Sequence, residues 1–218
     1  MKKVNNSNKI ILDLCGGTGS WSKPYKDAGY DVRVITLPEY DINQSSFCER
    51  HIVFRNPEGK LRMTISYPRV YGIFAAPPCT MFSIVRTTPK IPRSFEQGMK
   101  TVQDCLKIIW EVQYDHKLAF WTLENPFGYL RRFLGKPAYQ FDPTEFGGGH
   151  NKKTDLWGQF NEPKKTHEKQ KTFSLAMKHE SSMKIPDDYV RDPNMRKDAI
   201  ARSITPAGFA KAFFEANQ

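Results

Sequence analysis

Two segments of the chain place reactive side chains directly after apolar runs. Cys79 follows Pro77 and Pro78 at the end of the run Val70–Ala75, and Glu124 follows the apolar residues 118–123. A cysteine presented by a rigid Pro-Pro turn is typical of a thiolate that must be aimed at a substrate. Burial of a glutamate raises its pKa toward the range useful for proton transfer. The two segments therefore predict covalent and acid-base chemistry.

A third segment, DLCGGTGSW, runs from Asp13 to Trp21. Its glycines, Gly16, Gly17 and Gly19, allow the backbone to approach a ligand closely. The spacing matches neither the GxGxxG fingerprint of dinucleotide-binding proteins nor a P-loop. Glu39, about twenty residues further on, is placed to hold a pair of ribose hydroxyls.

The chain is strongly basic. It contains 33 Lys and Arg against 23 Asp and Glu, which gives a formal charge of +10. Arg86, Lys90 and Arg93 alternate with prolines and threonines after the Cys79 segment, as expected of a basic loop that contacts phosphates. The charge favours a polyanionic partner but does not separate DNA from RNA.

The elements that must position these groups follow an α/β pattern. The residues 9–14, the glycine turn, a helical segment to Gly29 and the β-branched residues 31–37 form one strand-helix-strand unit, which predicts a parallel sheet. A capping box at Ser94 and Gln97 begins a helix to about His116, residues 51–66 predict a β-hairpin, and residues 205–216 predict a terminal helix. Because ligands bind at the carboxyl ends of strands in such sheets, the three reactive segments should meet there.

Length and composition limit the number of domains, the cellular location and the kinds of site that the chain can have. The 218 residues predict a single domain, residues 1–218. No apolar run approaches the roughly 18 residues of a membrane span, and the first eight residues lack the apolar core of a secretory signal, so we expect a cytoplasmic protein without a membrane partner. The four cysteines and five histidines lack metal-ligand spacing, which predicts no metal site.

The order of the motifs DLCGGTGSW, PPCTMFS, ENPFG and SITPAGFAKAFFEA resembles the cytosine-C5 DNA methyltransferase family, in a small form. The resemblance implies a Rossmann-like methyltransferase fold, mostly parallel with helices on both faces of the sheet, and S-adenosylmethionine as cofactor. It implies that Cys79 is the nucleophile and that Glu124 engages the target ring, both as catalytic residues. A short basic enzyme of this kind would suit a phage or mobile element.

The resemblance also implies two groups of binding residues. The cofactor pocket would be formed by Asp13, Cys15, Gly16, Gly17, Thr18, Gly19, Trp21, Glu39, Asp41, Pro77 and Thr205. The nucleic acid, most readily DNA, would contact Ser83, Arg86, Lys90, Arg93, Asn125, Lys152 and Lys153.

The chain departs from the family pattern in its last third. The arginine-rich QxRxR motif is absent, and residues 150–157 (HNKKTDLW) hold its place. Residues 161–202 form a short irregular basic insert where the family has a target-recognition domain. Cytosine-C5 methylation of RNA or of a free nucleotide therefore stays open. So does a non-catalytic nucleic-acid-binding module that needs a recognition subunit, and the oligomeric state is undetermined.

Overall fold

The computed structural model describes residues 5–84, 92–149, 151–168, 189, 200 and 203–218. Its strands in this part of the chain are β1 (Ile10–Leu14), β2 (Asp31–Ile35), β3 (Asp41–Cys48), β4 (His51–Arg55), β5 (Leu61–Ser66), β6 (Val70–Ala75), β7 (Phe120–Pro126), β8 (Tyr139–Phe141) and β9 (Thr154–Gln159). The α-helices are α1 (Lys23–Asp27), α2 (Phe95–Asp115), α3 (Arg131–Leu134) and α4 (Ala207–Ala216).

Six strands form a mixed, mostly parallel sheet in the order β2-β1-β6-β7-β9-β8. Strands β2, β1, β6 and β7 run parallel to one another. Strand β9 runs antiparallel to both β7 and β8. The strand order reverses direction between β1 and β6, because β2 lies on one side of β1 and β6 on the other. Such a switch point opens a crevice at the carboxyl ends of the strands. The predicted α/β class is thus confirmed.

Helices cover both faces of this sheet. The apolar side of α2 packs on one face through Val102, Ile109 and Val112, which share a core cluster with Leu12 and Ile73. On the other face α1 and α4 pack an aromatic cluster around Phe74 and Phe120. Adjacent strand residues belong to opposite clusters because side chains alternate along a strand.

The long helix confirms its sequence signals. Ser94 is the N-cap residue, and its side chain accepts a hydrogen bond of 3.2 Å from the backbone nitrogen of Gln97. The helix ends at Asp115, one residue from the expected end. Its start lies close to the Cys79 segment, which gives it a part in building the site.

The predicted hairpin belongs to a larger unit than expected. Strands β4 and β5 pair around the turn at residues 56–59, and β3 adds a third antiparallel strand on the far side of β4. No local pattern in residues 41–48 predicts this strand. The residues of β3 are mostly polar, so they lack the alternation of apolar and polar side chains by which a strand is recognised.

Strand β7 runs further than predicted. It begins at Phe120 and continues through Glu124 and Asn125 to Pro126, whereas the apolar run predicted an end at residue 123. The extension pairs with β9, which the sequence analysis also missed, and Glu124 lies opposite Leu156. Glu124 is therefore part of the sheet and not of the following turn.

No helix in the described ranges is long and apolar enough to cross a membrane. Most of the proposed insert at residues 161–202 lies outside the described residues.

Candidate active site at the carboxyl edge of the sheet

The three reactive segments lie at neighbouring strand ends. The backbone nitrogen of Ala76, just past β6, donates to the carbonyl of Leu14 at the end of β1 (2.9 Å). On the other side, β6 pairs with β7 up to Ala75 and Leu123, one residue before Glu124. The glycine turn, the Pro-Pro-Cys turn and Glu124 thus share the edge that contains the switch point.

A side-chain hydrogen bond joins the cysteine turn to the glutamate strand. Asn125 is only 1% exposed, and its amide nitrogen donates to the carbonyl of Pro77 at 3.0 Å. We expected Asn125 to contact nucleic acid and Pro77 to contact the cofactor. Both residues are buried, and their hydrogen bond ties the Pro-Pro turn to β7. The two ligand contacts stay predictions.

The Cys79 turn is closed by its own backbone. The nitrogens of Phe82 and Ser83 both donate to the carbonyl of Cys79 at 2.9 Å. Phe82 is fully buried, and its carbonyl accepts from the nitrogen of Tyr129 at 2.8 Å. Cys79 itself is half-buried. A half-buried thiol on a fixed turn is accessible to a substrate yet restricted in position.

Arg93 anchors the same turn from the other side. Its guanidinium donates to the carbonyls of Met81 and Ser83, the latter at 3.0 Å, and lies 4.9 Å from the centre of the Tyr129 ring. These bonds give Arg93 a structural role at the turn, and its contact with phosphate stays a prediction. Ser83 also forms an antiparallel bridge with Gly128, so its backbone is used within the protein.

Helix α2 approaches this turn at a glycine. A Cβ atom at Gly98 would lie 2.8 Å from the Cβ of Met81 and 2.9 Å from the ring of Phe82. Real Cβ atoms do not tolerate such distances. Gly98 therefore allows the first turn of the helix to press on the cysteine turn, a role the sequence pattern did not indicate.

Glu124 is half-buried and faces charges of both signs. Burial raises the pKa of Glu124, the negative charge of Asp155 raises it further, and the positive charge of Lys152 opposes the shift. The net direction is upward. The neutral carboxyl is thus favoured over the carboxylate relative to a glutamate in water.

A buried ion pair lies beside Glu124. Asp155 is fully buried and accepts two hydrogen bonds from Arg131, at 2.5 and 2.6 Å, and one from Gln140 at 2.8 Å. Sequence reasoning missed this group. The partners lie 24 residues apart, and no local pattern indicates that β9 would bring Asp155 to α3.

The glycine turn is built around a buried carboxylate. Asp13 is 1% exposed, and the Ser22 hydroxyl donates to its Oδ2 at 2.5 Å, while its buried Oδ1 accepts no hydrogen bond from the part of the chain that the structure describes. Burial raises the pKa of Asp13 to about 6. Gly16 packs so closely on this carboxyl that any Cβ there would overlap it. Gly17 and Gly19 have positive φ angles of 54° and 68°, which L-residues rarely adopt.

Other residues of the turn take different positions. Thr18 is half-buried on the turn itself. Cys15 has a φ of 56° and directs its thiol toward Cys105 of α2, whose pKa is raised by that contact and by burial. The backbone nitrogen of Thr205 donates to the Ser20 hydroxyl at 2.9 Å, so the terminal segment returns to the turn as expected.

Trp21, which the resemblance assigns to the cofactor pocket, packs in the core, and its contact with a cofactor stays a prediction. Its indole is buried in the aromatic cluster, with ring centres 4.5 Å from Phe74 and 5.7 Å from Phe213. The indole is buried because α4 supplies further aromatic rings against which it packs.

The two acidic residues after β2 are already engaged. Glu39 is exposed and forms an ion pair with Arg62 of β5. Asp41 begins β3, and its carboxylate accepts from the backbone nitrogen of Asn43 at 2.9 Å. Either group would have to exchange these contacts to bind a ribose or an adenine.

The predicted basic residues divide into three cases. Lys152 is half-buried near Glu124, and Lys153 is exposed beside it. Arg86 and Lys90 lie outside the described residues. In the described ranges, no three His, Cys, Asp or Glu side chains come together as metal ligands.

Two clefts lie away from this edge. One of about 320 Å³ is lined by Arg33, His51 and Arg69, and one of about 480 Å³ by Tyr71 and His116. Both lie at the amino-terminal edge of the parallel strands. The clefts thus lie at the opposite end of the strands from Cys79 and Glu124.

No family model matches the chain, and no curated protein matches it.

Proposed function

We propose that the protein transfers a methyl group from S-adenosylmethionine to carbon 5 of cytosine in DNA, through a covalent adduct on Cys79. The observation that carries the proposal is the hydrogen bond from Asn125 to Pro77. It couples the cysteine turn to the strand of Glu124, next to the glycine turn. The Cys79 thiol and the Glu124 carboxyl, whose pKa is raised by burial, thus lie at adjacent strand ends.

The chemistry requires both groups. Carbon 5 of cytosine is too weak a nucleophile to accept a methyl group directly. Addition of the Cys79 thiolate to carbon 6 forms a sulfur-carbon bond and moves an electron pair to carbon 5. Loss of the carbon-5 proton after methylation restores the ring double bond and releases the thiolate.

Glu124 assists the addition from the opposite side of the ring. In its neutral form it donates a proton or hydrogen bond to ring N3, while its carbonyl oxygen accepts from the exocyclic amine. The raised pKa of Glu124 supports this form. Thymine presents a carbonyl where cytosine has the amine, so the same contact discriminates against it.

The residues at the glycine turn fit the proposed cofactor. Among the described residues the buried Oδ1 of Asp13 has no hydrogen-bond partner, and Gly17 and Gly19 have positive φ angles in the turn after β1. Asp13, Thr18 and the glycines would hold S-adenosylmethionine there. When bound, it supplies a methyl group on a positively charged sulfur. Glu39 would first have to leave Arg62.

A DNA substrate agrees with the charge of +10 and with exposed Lys153 near Glu124. A half-buried thiol cannot reach a base stacked in a duplex, so the target nucleotide would have to be flipped out. Its pairing edge would then face Glu124.

The test is transfer of a radiolabelled methyl group from S-adenosylmethionine to duplex DNA, tRNA and deoxycytidine nucleotides. We expect label at cytosine carbon 5 of DNA, lost in Cys79→Ser and retained in Cys48→Ser, which changes an exposed cysteine on β3. Label found in tRNA alone, or in the nucleotides alone, would mean that this substrate and not DNA is methylated. Failure to bind S-adenosylmethionine would overturn the proposal.

A further inference from the structure

Phe127, just past Glu124 and Asn125, is an exposed aromatic residue at the rim of the site. It retains 39% of its accessible surface although it follows a buried strand. Single exposed apolar residues need no explanation, but this one is held in place by its neighbours.

The guanidinium of Arg131 lies 4.6 Å from the centre of the Phe127 ring. That guanidinium is itself fixed by the two-point ion pair with buried Asp155. The backbone nitrogen of Phe127 donates to the carbonyl of Lys153 at 2.8 Å. The ring is therefore supported by a cation on one side, and its backbone is anchored to Lys153, the residue before β9.

A second exposed apolar residue lies near Phe127 in the fold. Ser83 and Gly128 form an isolated antiparallel bridge, and their chain neighbours Ile84 and Phe127 flank that bridge. Ile84 is 49% exposed. The rim therefore carries an apolar pair between the Cys79 turn and the Glu124 strand, with exposed Lys153 beside it.

This combination suits one kind of occupant. A flat ring backed by a guanidinium offers a stacking surface for nucleobases, and a neighbouring lysine offers a charge for phosphate. A protein partner would gain little from a rim of two apolar residues amid cations, whereas a nucleic-acid strand matches both features.

We propose that Phe127, supported by Arg131, is a stacking platform for a nucleobase next to the one that Glu124 engages. The inference rests on the proposed function, since it assumes that a nucleic-acid strand enters this edge of the sheet. It adds a binding residue that the motifs did not indicate.

The experiment measures binding of fluorescein-labelled cytosine-containing DNA by anisotropy, at fixed salt, for the wild type and three variants. Phe127→Leu keeps apolar bulk but removes the aromatic face, and it should weaken binding about ten-fold. Phe127→Trp keeps a stacking surface and should bind within about two-fold of the wild type, with added tryptophan fluorescence that DNA quenches. Tyr114→Leu is the matched control, because Tyr114 is 96% exposed near the opposite end of α2.

Equal binding by the wild type and Phe127→Leu, or unquenched fluorescence in Phe127→Trp, would overturn the platform while leaving the proposed function intact. Absence of DNA binding by the wild type itself would instead count against the nucleic-acid substrate. Thermal unfolding of each variant serves as a control that the variant is folded under the conditions of the binding measurement.

Discussion

The ion pair between Arg131 and Asp155 lies one register position from Glu124. Asp155 is opposite Asn125 in the β7–β9 pairing, and the two carboxylate oxygens lie 2.5 and 2.6 Å from the Arg131 nitrogens. A buried negative charge is thus held close to the proposed acid. Since Lys152 acts on the same carboxyl with opposite sign, the pKa of Glu124 depends on two nearby groups.

We predict that two variants shift the pH profile of kcat in opposite directions. If neutral Glu124 is the active form, activity falls as the pH rises through its pKa. Asp155→Asn removes a charge that raises the pKa, so the fall should occur at lower pH. Lys152→Gln removes a charge that lowers the pKa, so the fall should move to higher pH. The measurement is kcat against pH at saturating DNA and cofactor.

Lys136→Gln serves as the control for this pair, because Lys136 is exposed on the loop between α3 and β8. Its profile should match the wild type. Shifts of the same sign in Asp155→Asn and Lys152→Gln would contradict the assignment of the titrating group to Glu124.

Asp13→Asn should alter how stability depends on pH. The pKa of Asp13 is raised from 3.8 to about 6, so the folded protein binds a proton that the unfolded chain releases above pH 4. The free energy of unfolding therefore falls as the pH rises through this window. A shift of about two units corresponds to about 3 kcal/mol. Urea unfolding measures this. From pH 3.5 to pH 7.5, the free energy of unfolding of Asp13→Asn should rise by about 3 kcal/mol relative to that of the wild type.

The exposed residue Asp27 provides a comparison for Asp13. Within the described ranges, its carboxylate forms an ion pair with Lys23 alone, four residues earlier in α1, at 2.6 Å. Asp27→Asn should leave the pH dependence within about 0.5 kcal/mol of the wild type. A gain as large as that of Asp13→Asn would show that burial is not the cause.

Asn125→Ala should impair both stability and methyl transfer. The substitution removes the hydrogen bond to Pro77 and leaves a buried carbonyl unpaired, at a cost of about 1–3 kcal/mol. Because the cysteine turn then loses its tie to the Glu124 strand, kcat should fall more than KM rises.

Asn56→Ala is the matched change, since the Asn56 side chain accepts from the nitrogen of Lys60 at 2.8 Å in an exposed turn. It should lower stability and leave kcat unchanged at temperatures where the protein is folded. Equal loss of kcat in both variants would mean that Asn125 acts through stability alone.

Gly98→Ala tests the contact between α2 and the cysteine turn. Alanine raises helix propensity by up to about 1 kcal/mol, yet its Cβ would lie 2.8 Å from that of Met81. We expect the turn to shift and kcat to drop at least about ten-fold, as small displacements of reacting groups do. Gly149→Ala, where no described atom outside its chain neighbours lies within 4 Å of the added Cβ, should leave kcat unchanged. Unchanged kcat in Gly98→Ala would contradict a positioning role for this contact.

Local sequence patterns predicted the parts of the fold that depend on neighbouring residues. The apolar run Val70–Ala75 became a strand buried on both faces, and the Ser94 cap began the long helix. The same reasoning failed where an element depends on a distant partner. Strand β9 is only six residues long, and its pairing with β7 is what carries Glu124 into the sheet.

The sequence by itself determined the order of strand, turn and reactive residue, because turns need glycine or proline and buried strands need continuous apolar side chains. It therefore predicted that Asp13, Cys79 and Glu124 meet at one edge. Only the tertiary structure decided what each neighbour does: Trp21 is core, Arg93 holds a turn, and Asp155 acts beside Glu124. Those roles depend on contacts between residues far apart in the chain, which no local spacing encodes.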